Sequence, residues 1–165
     1  MAKDKTPTKA KAEKAAKTAD ADDDKEAVSY ETRVLSVSPI AHPLATKKLT
    51  KKLLKTVKKA AKSKNVKRGV KEVVKGLRKG SKGVVVIAGD ISPIDVITHV
   101  PVLCEEADIP YIYVPSKEDL GLAGSTKRPT SVIMVVKKDA AEYKELYDEI
   151  LGDVKELNQK LITTV

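Results

Sequence analysis

The sequence predicts an α/β fold, a single-domain three-layer αβα sandwich around a small mixed sheet, and three observations carry that expectation. The runs GVVVIAGD (residues 83–90), YIYVP (111–115) and SVIMVV (131–136) are short, apolar and rich in β-branched residues, as strands buried on both faces are. The stretches between them repeat apolar residues at helical spacing, so strands alternate with helices, and such helices must cover a shared sheet. A length of 165 residues with 41% hydrophobic content suits one core.

Taken in order, residues 1–27 are mostly Lys, Ala, Thr and Asp, with almost no branched or aromatic residues and with the acidic run Asp22, Asp23, Asp24. Such a segment buries too little apolar surface to offset its ordering entropy and is expected to be a disordered tail, leaving residues 28–165 as the folded domain. Residues 30–39 read as an extended lead-in. Residues 46–63 read as a helix: wound at 100° per residue, Leu49, Leu53, Leu54, Val57, Ala60 and Ala61 occupy about 140° of arc. Lys47, Lys48, Lys51, Lys52, Lys55, Lys58, Lys59 and Lys62 fill about 140° opposite. Residues 65–67 suit a short strand, and Gly69 opens a second helix that buries Val70, Val73, Val74 and Leu77 and ends at Gly80. After the strand 83–90, Asp90 or Ser92 can cap a helix with Pro93 in its first turn, running through Val96, Ile97, Val100, Leu103 and Cys104, with Pro101 loosening its middle. Strand 111–115, a helical turn SKEDLG, a loop GLAGSTKRP and strand 131–136 follow. Residues 139–161 then carry Tyr143, Leu146, Tyr147, Ile150, Leu151, Val154 and Leu157 at helical spacing.

Charge is segregated along this chain. Residues 41–80 hold fifteen basic residues and one acid, Glu72, a local charge of +14 inside a chain of net +9. Solubility needs only interspersed charges, whereas a one-sided field attracts polyanions, and a polyphosphate backbone is the expected partner. A membrane-surface helix would present Trp or Phe, and the chain has neither. No apolar run approaches the roughly 18 residues of a membrane span, and the start lacks a secretory core. With Cys104 the lone cysteine, a disulfide framework is excluded and a reducing, intracellular compartment is expected.

The chemistry-bearing residues point away from catalysis. His99 stands four residues after Asp95, which could orient an imidazole, but no Ser or Cys completes a nucleophilic arrangement. His42 has no partner at metal-ligand spacing, and Cys104 sits in an apolar run as a packed residue. GLAGS has neither glycine spacing of a nucleotide loop, so no cofactor, metal or small-molecule substrate is expected. Tyr as the only aromatic argues against a stacking sheet platform. A small RNA-modifying enzyme stays open as an alternative that a cofactor-binding assay would settle.

That leaves KNVKRGVKEVVKGLRKG. Glycine at a helix start lets a nucleic-acid backbone come close, and the free N–H groups there attract phosphate. Glu72 is out of place in a phosphate-binding segment unless its carboxylate accepts hydrogen bonds from a base, and a guanine Watson–Crick edge offers such donors. The competing reading is an intrahelical pair with Arg68 or Lys75, worth only about 0.3 kcal/mol.

Arg68, Gly69, Val70, Lys71, Glu72, Val73, Val74, Lys75 resembles the R-G-x-N-E-x-x-K signature of the ribosomal L-seven-Ae family of kink-turn RNA-binding proteins. IAGDISPIDVITHVPVLCEEADIPYIYVPSKEDLG and the loop ending TKRP resemble that family's later blocks, so the likeness spans residues 41–136. It implies RNA contacts at Arg68, Gly69, Lys71, Glu72 and Lys75, an apolar contact at Val96, a phosphate contact at Lys117, and a loop, Thr126, Lys127 and Arg128, that cradles flipped nucleotides. Lys71 replaces the family's Asn: an ammonium only donates, where an amide also accepts and so selects a base edge. Within the family, the lysine-rich first helix and RGVKEVVKGLRKG are most similar to the branch found in box H/ACA small nucleolar ribonucleoproteins. That likeness implies a nuclear and nucleolar scaffold for guide RNA, beside a separate pseudouridine synthase subunit and the other core proteins, in pseudouridylation and processing of ribosomal RNA. Box C/D or spliceosomal relatives and a large-subunit ribosomal protein are the alternatives.

Overall fold

The computed structural model describes residues 30–138 and 143–163, with side chains through residue 160. The expected tail at 1–27 and the expected start of the last helix at 139–142 lie outside the described residues. The chain divides into two units, Met1–Leu35 and Ser36–Val165. In the first, residues 30–34 are helical, correcting the extended lead-in.

In the second unit, α1 spans Lys47–Lys62. Thr46 caps it by accepting from the Leu49 N–H at 3.4 Å, and Thr50 and Thr56 return their hydroxyls to the Thr46 and Lys52 carbonyls at 2.9 and 3.1 Å. That back-bonding lets two polar residues share the buried stripe with Leu49, Leu53, Val57, Ala60 and Ala61. Lys64, in the left-handed region at φ 55, reverses the chain into β1 (Val66–Arg68), one residue beyond the predicted strand. Next come α2 (Gly69–Arg78), β2 (Gly83–Ala88), a 3₁₀ turn at Ile94–Val96, α3 (His99–Glu106), β3 (Tyr111–Val114), α4 (Lys117–Ala123), β4 (Val132–Val136) and α5 (Lys144–Thr163).

The sheet is mixed, in the order β1-β4-β2-β3, with β2 and β3 parallel and β4 antiparallel to both β1 and β2. Because strand side chains alternate, β2 feeds two cores: Val84, Val86 and Ala88 meet Leu53, Val57, Leu120, Tyr147 and Ile150 on one side. Val85 and Ile87 meet Val73, Leu77, Val100, Cys104 and Met134 on the other. Each such buried Val, Leu or Ile contributes about 1.5–3 kcal/mol. Helices α1, α4 and α5 therefore form one outer layer and α2 and α3 the other, which is the predicted three-layer sandwich.

The helix after β2 also departs from expectation. It starts at His99 rather than near Ser92, so Pro101 falls in its first turn, where no N–H is needed, and nothing is loosened. Asp90 is not its cap, because the carboxylate is engaged elsewhere.

Candidate nucleic-acid interface

The strand directions decide where the predicted contacts meet. In the observed register Arg68 pairs with Ile133 and Ile87 with Val132, so β1 and β2 finish beside the start of β4; β3, parallel to β2, finishes there too. The start of α2, the 89–96 loop, the start of α4 and the 125–130 loop, four segments spread over some sixty residues, thus all open at one end of the sheet. Crevices outside strand ends are where open α/β sheets take ligands.

Gly69, at φ +77, turns the chain from β1 into α2, and a Cβ on it would meet nothing within 4 Å. Glycine is required by the backbone angle, and open space lies before it for an approaching backbone. The Glu72 carboxylate accepts from the Arg68 backbone N–H at 3.0 Å. This capping bond, rather than a pair with the Arg68 or Lys75 side chain, fixes the carboxylate at the helix start, and its remaining lone pairs can accept from a base. Lys71 and Lys75 are exposed on α2, and with Arg78, Lys79 and His99 they rim a cleft of about 480 Å³ floored by Val70 and Val74. His99 is exposed on α3 and is not hydrogen-bonded to Asp95.

Asp90 was not predicted to belong to the site. Its Oδ1 accepts from the Lys117 N–H at 2.9 Å, and its carbonyl accepts from the Lys117 Nζ at 3.3 Å. The loop after β2 is thereby tied to the first turn of α4, and the Lys117 ammonium is held at the sheet end. An aspartate after an apolar strand was the available signal, but it read equally well as a cap. Val96, in the 3₁₀ turn, is 39% exposed, an apolar surface at the same end.

The 125–130 loop is held closely. Gly121 lets the Arg128 carbonyl come within 2.3 Å of where a Cβ would stand. The Thr126 N–H donates to the Gly121 carbonyl at 3.1 Å, the Arg128 N–H to Thr126 Oγ1 at 3.2 Å, and the Thr130 N–H to the Lys117 carbonyl at 3.1 Å. Ser125 sits at φ 59, and Lys127 and Arg128 are left exposed on a preset loop.

The lysines of α1 do not extend this site as a single basic face. Helix α1 packs into one core and α2 into the other, so their charged sides look outward from opposite faces of the sheet. The lysines are not uniform either. Lys47, Lys51 and Lys52 are half-buried, while Lys48, Lys55, Lys58, Lys59 and Lys62 are exposed. Lys52 forms an ion pair with Glu149 of α5, and that bond and its charge raise the ammonium pKa.

Among the described residues, none of these contacts pairs a nucleophile with a base. Burial, with the neighbouring Glu105, pushes the Cys104 thiol up to about 12, which keeps it protonated and inert at neutral pH.

Residues 51–145 match the family described as "Ribosomal protein L7Ae/L30e/S12e/Gadd45 family". The chain belongs to that family. The L7Ae match contains every residue predicted at the sheet end. Among relatives, the chain is 58% identical over 89 residues to "H/ACA ribonucleoprotein complex subunit NHP2" of Saccharomyces cerevisiae, covering 48% of this chain but 57% of that protein, little more than half its length. It is 52% identical over 137 residues to "H/ACA ribonucleoprotein complex subunit 2-like protein" of Arabidopsis thaliana, covering 78% of this chain and 88% of that one. The solved "Giardia lamblia 15.5kD RNA binding protein" superposes with a TM-score of 0.69 at 36% identity, covering 73% of this chain and 99% of that one. The L7Ae fold is thus shared with a protein described as binding RNA.

Proposed function

We propose that this chain is a non-catalytic, RNA-binding core subunit of an H/ACA ribonucleoprotein, holding guide RNA while a separate pseudouridine synthase subunit modifies ribosomal RNA in the nucleolus. The observation that carries the reading is the gathering of Gly69, Glu72, Lys71, Val96, Lys117 and the 126–128 loop at one end of the sheet. Names of relatives at 52–58% identity support the assembly. Phosphates meet Arg68, Lys71, Lys75, Lys117, Lys127 and Arg128, Glu72 accepts from a base edge, and Val96 packs on an unstacked base. Specificity then comes from Glu72 and the loop, and affinity from the cations.

Two measurements test this. For a short kinked RNA that neutralises about five of these cations, log K should fall with log salt at a slope of roughly −3.5 to −4.5, and a flat response refutes the electrostatic reading. Affinity purification of the chain from nuclear extract should recover H/ACA guide RNA with a pseudouridine synthase. Recovery of box C/D RNA or large ribosomal subunits in their place assigns the chain to another branch of the family.

A further inference from the structure

The exposed lysines of α1 lie on the face of the sheet opposite α2. Residues 43–45 run alongside β3, where the Tyr113 N–H donates to the Pro43 carbonyl and the Ala45 N–H to the Tyr113 carbonyl at 2.9 and 2.8 Å. Helix α1 therefore starts near the sheet end that carries the site and runs back to the opposite end, where β1 begins, a length of about 22 Å. Lys55, Lys58, Lys59 and Lys62 lie on the distal half, exposed, over about 100° of arc, and none pairs with a described acid. Helix α5 meets the edge of α1 where Lys52 forms its ion pair with Glu149. The helix dipole accounts for cations in the last turn, Lys59 and Lys62, but not for Lys55 and Lys58.

We infer that the distal solvent face of α1 is a second RNA-contact surface, binding the phosphate backbone of a stem that leaves the sheet-end site and runs along the helix. The inference rests on the RNA-binding reading above. The chemistry selects RNA over a protein or a membrane. Lysine is depleted from protein interfaces, and this face exposes no apolar side chain that a partner could bury. A membrane would need aromatic anchors, which the stripe lacks. Lysine ammoniums on flexible stems accept any phosphate geometry, so the surface reads no sequence.

The test uses the full-length chain, a quadruple Lys→Gln variant at positions 55, 58, 59 and 62, and the matching Lys→Arg variant. Each is titrated against a short kinked RNA and the same RNA with its stem extended by about one helical turn. On the short RNA all three proteins should bind alike. On the extended RNA the wild type and the Arg variant should bind tighter, with a salt slope steeper by about 3. Between about 50 and 200 mM salt the wild type should therefore lose on the order of a hundredfold more affinity for the extended RNA than the Gln variant does. No gain from stem extension in the wild type, or an equal loss on both RNAs in the Gln variant, overturns the inference. Failure of the wild type to bind even the short RNA would instead overturn the sheet-end reading. The Arg variant keeps the charge, so its failure to gain with the wild type also counts against a backbone contact.

Discussion

Glu72→Ala separates reading of a base from attraction to phosphate, because the carboxylate has two measurable jobs. It caps the backbone N–H of Arg68 at 3.0 Å on an exposed helix start, a bond whose loss costs about 1 kcal/mol of stability. For a domain of this size that lowers Tm by about 2–5 °C. In RNA binding, the charge-assisted contact to a guanine edge is worth about 1–3 kcal/mol, or roughly 5- to 150-fold in affinity. Against this stands relief of repulsion: one exposed carboxylate about 7 Å from a phosphate in water costs about 0.6 kcal/mol before salt screening. The base contact therefore dominates on a kinked RNA, while a plain duplex should bind Glu72→Ala equally or slightly better. Glu72→Gln keeps an oxygen for the Arg68 N–H and should retain most of the stability. It should still lose kinked-RNA affinity, because its amide sets a donor against guanine donors. Competition titrations with kinked and straight RNAs of equal length, run beside thermal melts, give both quantities. A uniform shift across all RNAs would refute the base-reading role and leave Glu72 as a helix cap alone.

Lys71→Asn should lower affinity for straight duplex and raise the ratio of kinked to straight binding, since an amide selects a base edge where an ammonium donates to any phosphate; parallel competition titrations read this ratio. Gly121→Ala places a methyl 2.3 Å from the Arg128 carbonyl, so the 125–130 loop must shift. It should weaken kinked-RNA binding about tenfold and lower stability by about 1–3 kcal/mol, measured by titration and urea unfolding. Alkaline pH should destabilise the fold, because Cys104 is held up to about 12 and Tyr113 and Tyr147 are each also raised to about 12 by burial. These folded-state pKa values lie above the unfolded ones, so the stability they contribute is complete below about pH 9 and is lost as pH climbs toward 12. Urea midpoints should therefore fall over that window, and Cys104→Ala should remove the part that begins near pH 9.

The amino-acid order alone located most of the elements and the segment that carries the family likeness. Alternation and apolar runs located β2, β3 and β4, helical periodicity located α1, α2 and α5, and the Arg68–Lys75 segment carried the family resemblance. These features are legible because burial of one side leaves a period in the sequence. Periodicity records which side of an element is buried but not which side of the sheet the element covers. Fifteen basic residues within forty positions therefore read as one face, and only the tertiary structure placed α1 and α2 in opposite layers and paired Lys52 with Glu149. The same limit hid Asp90, whose hydrogen bonds to Lys117 span 27 residues. It also left the helix start at His99 to be mistaken for Ser92, since a Ser–Pro start signal acts locally while the loop it would cap is held by that distant bond. Local order sets what each segment can be; strand direction, the side each helix covers and long-range hydrogen bonds set which segments meet, and in this chain that is what assembles the site.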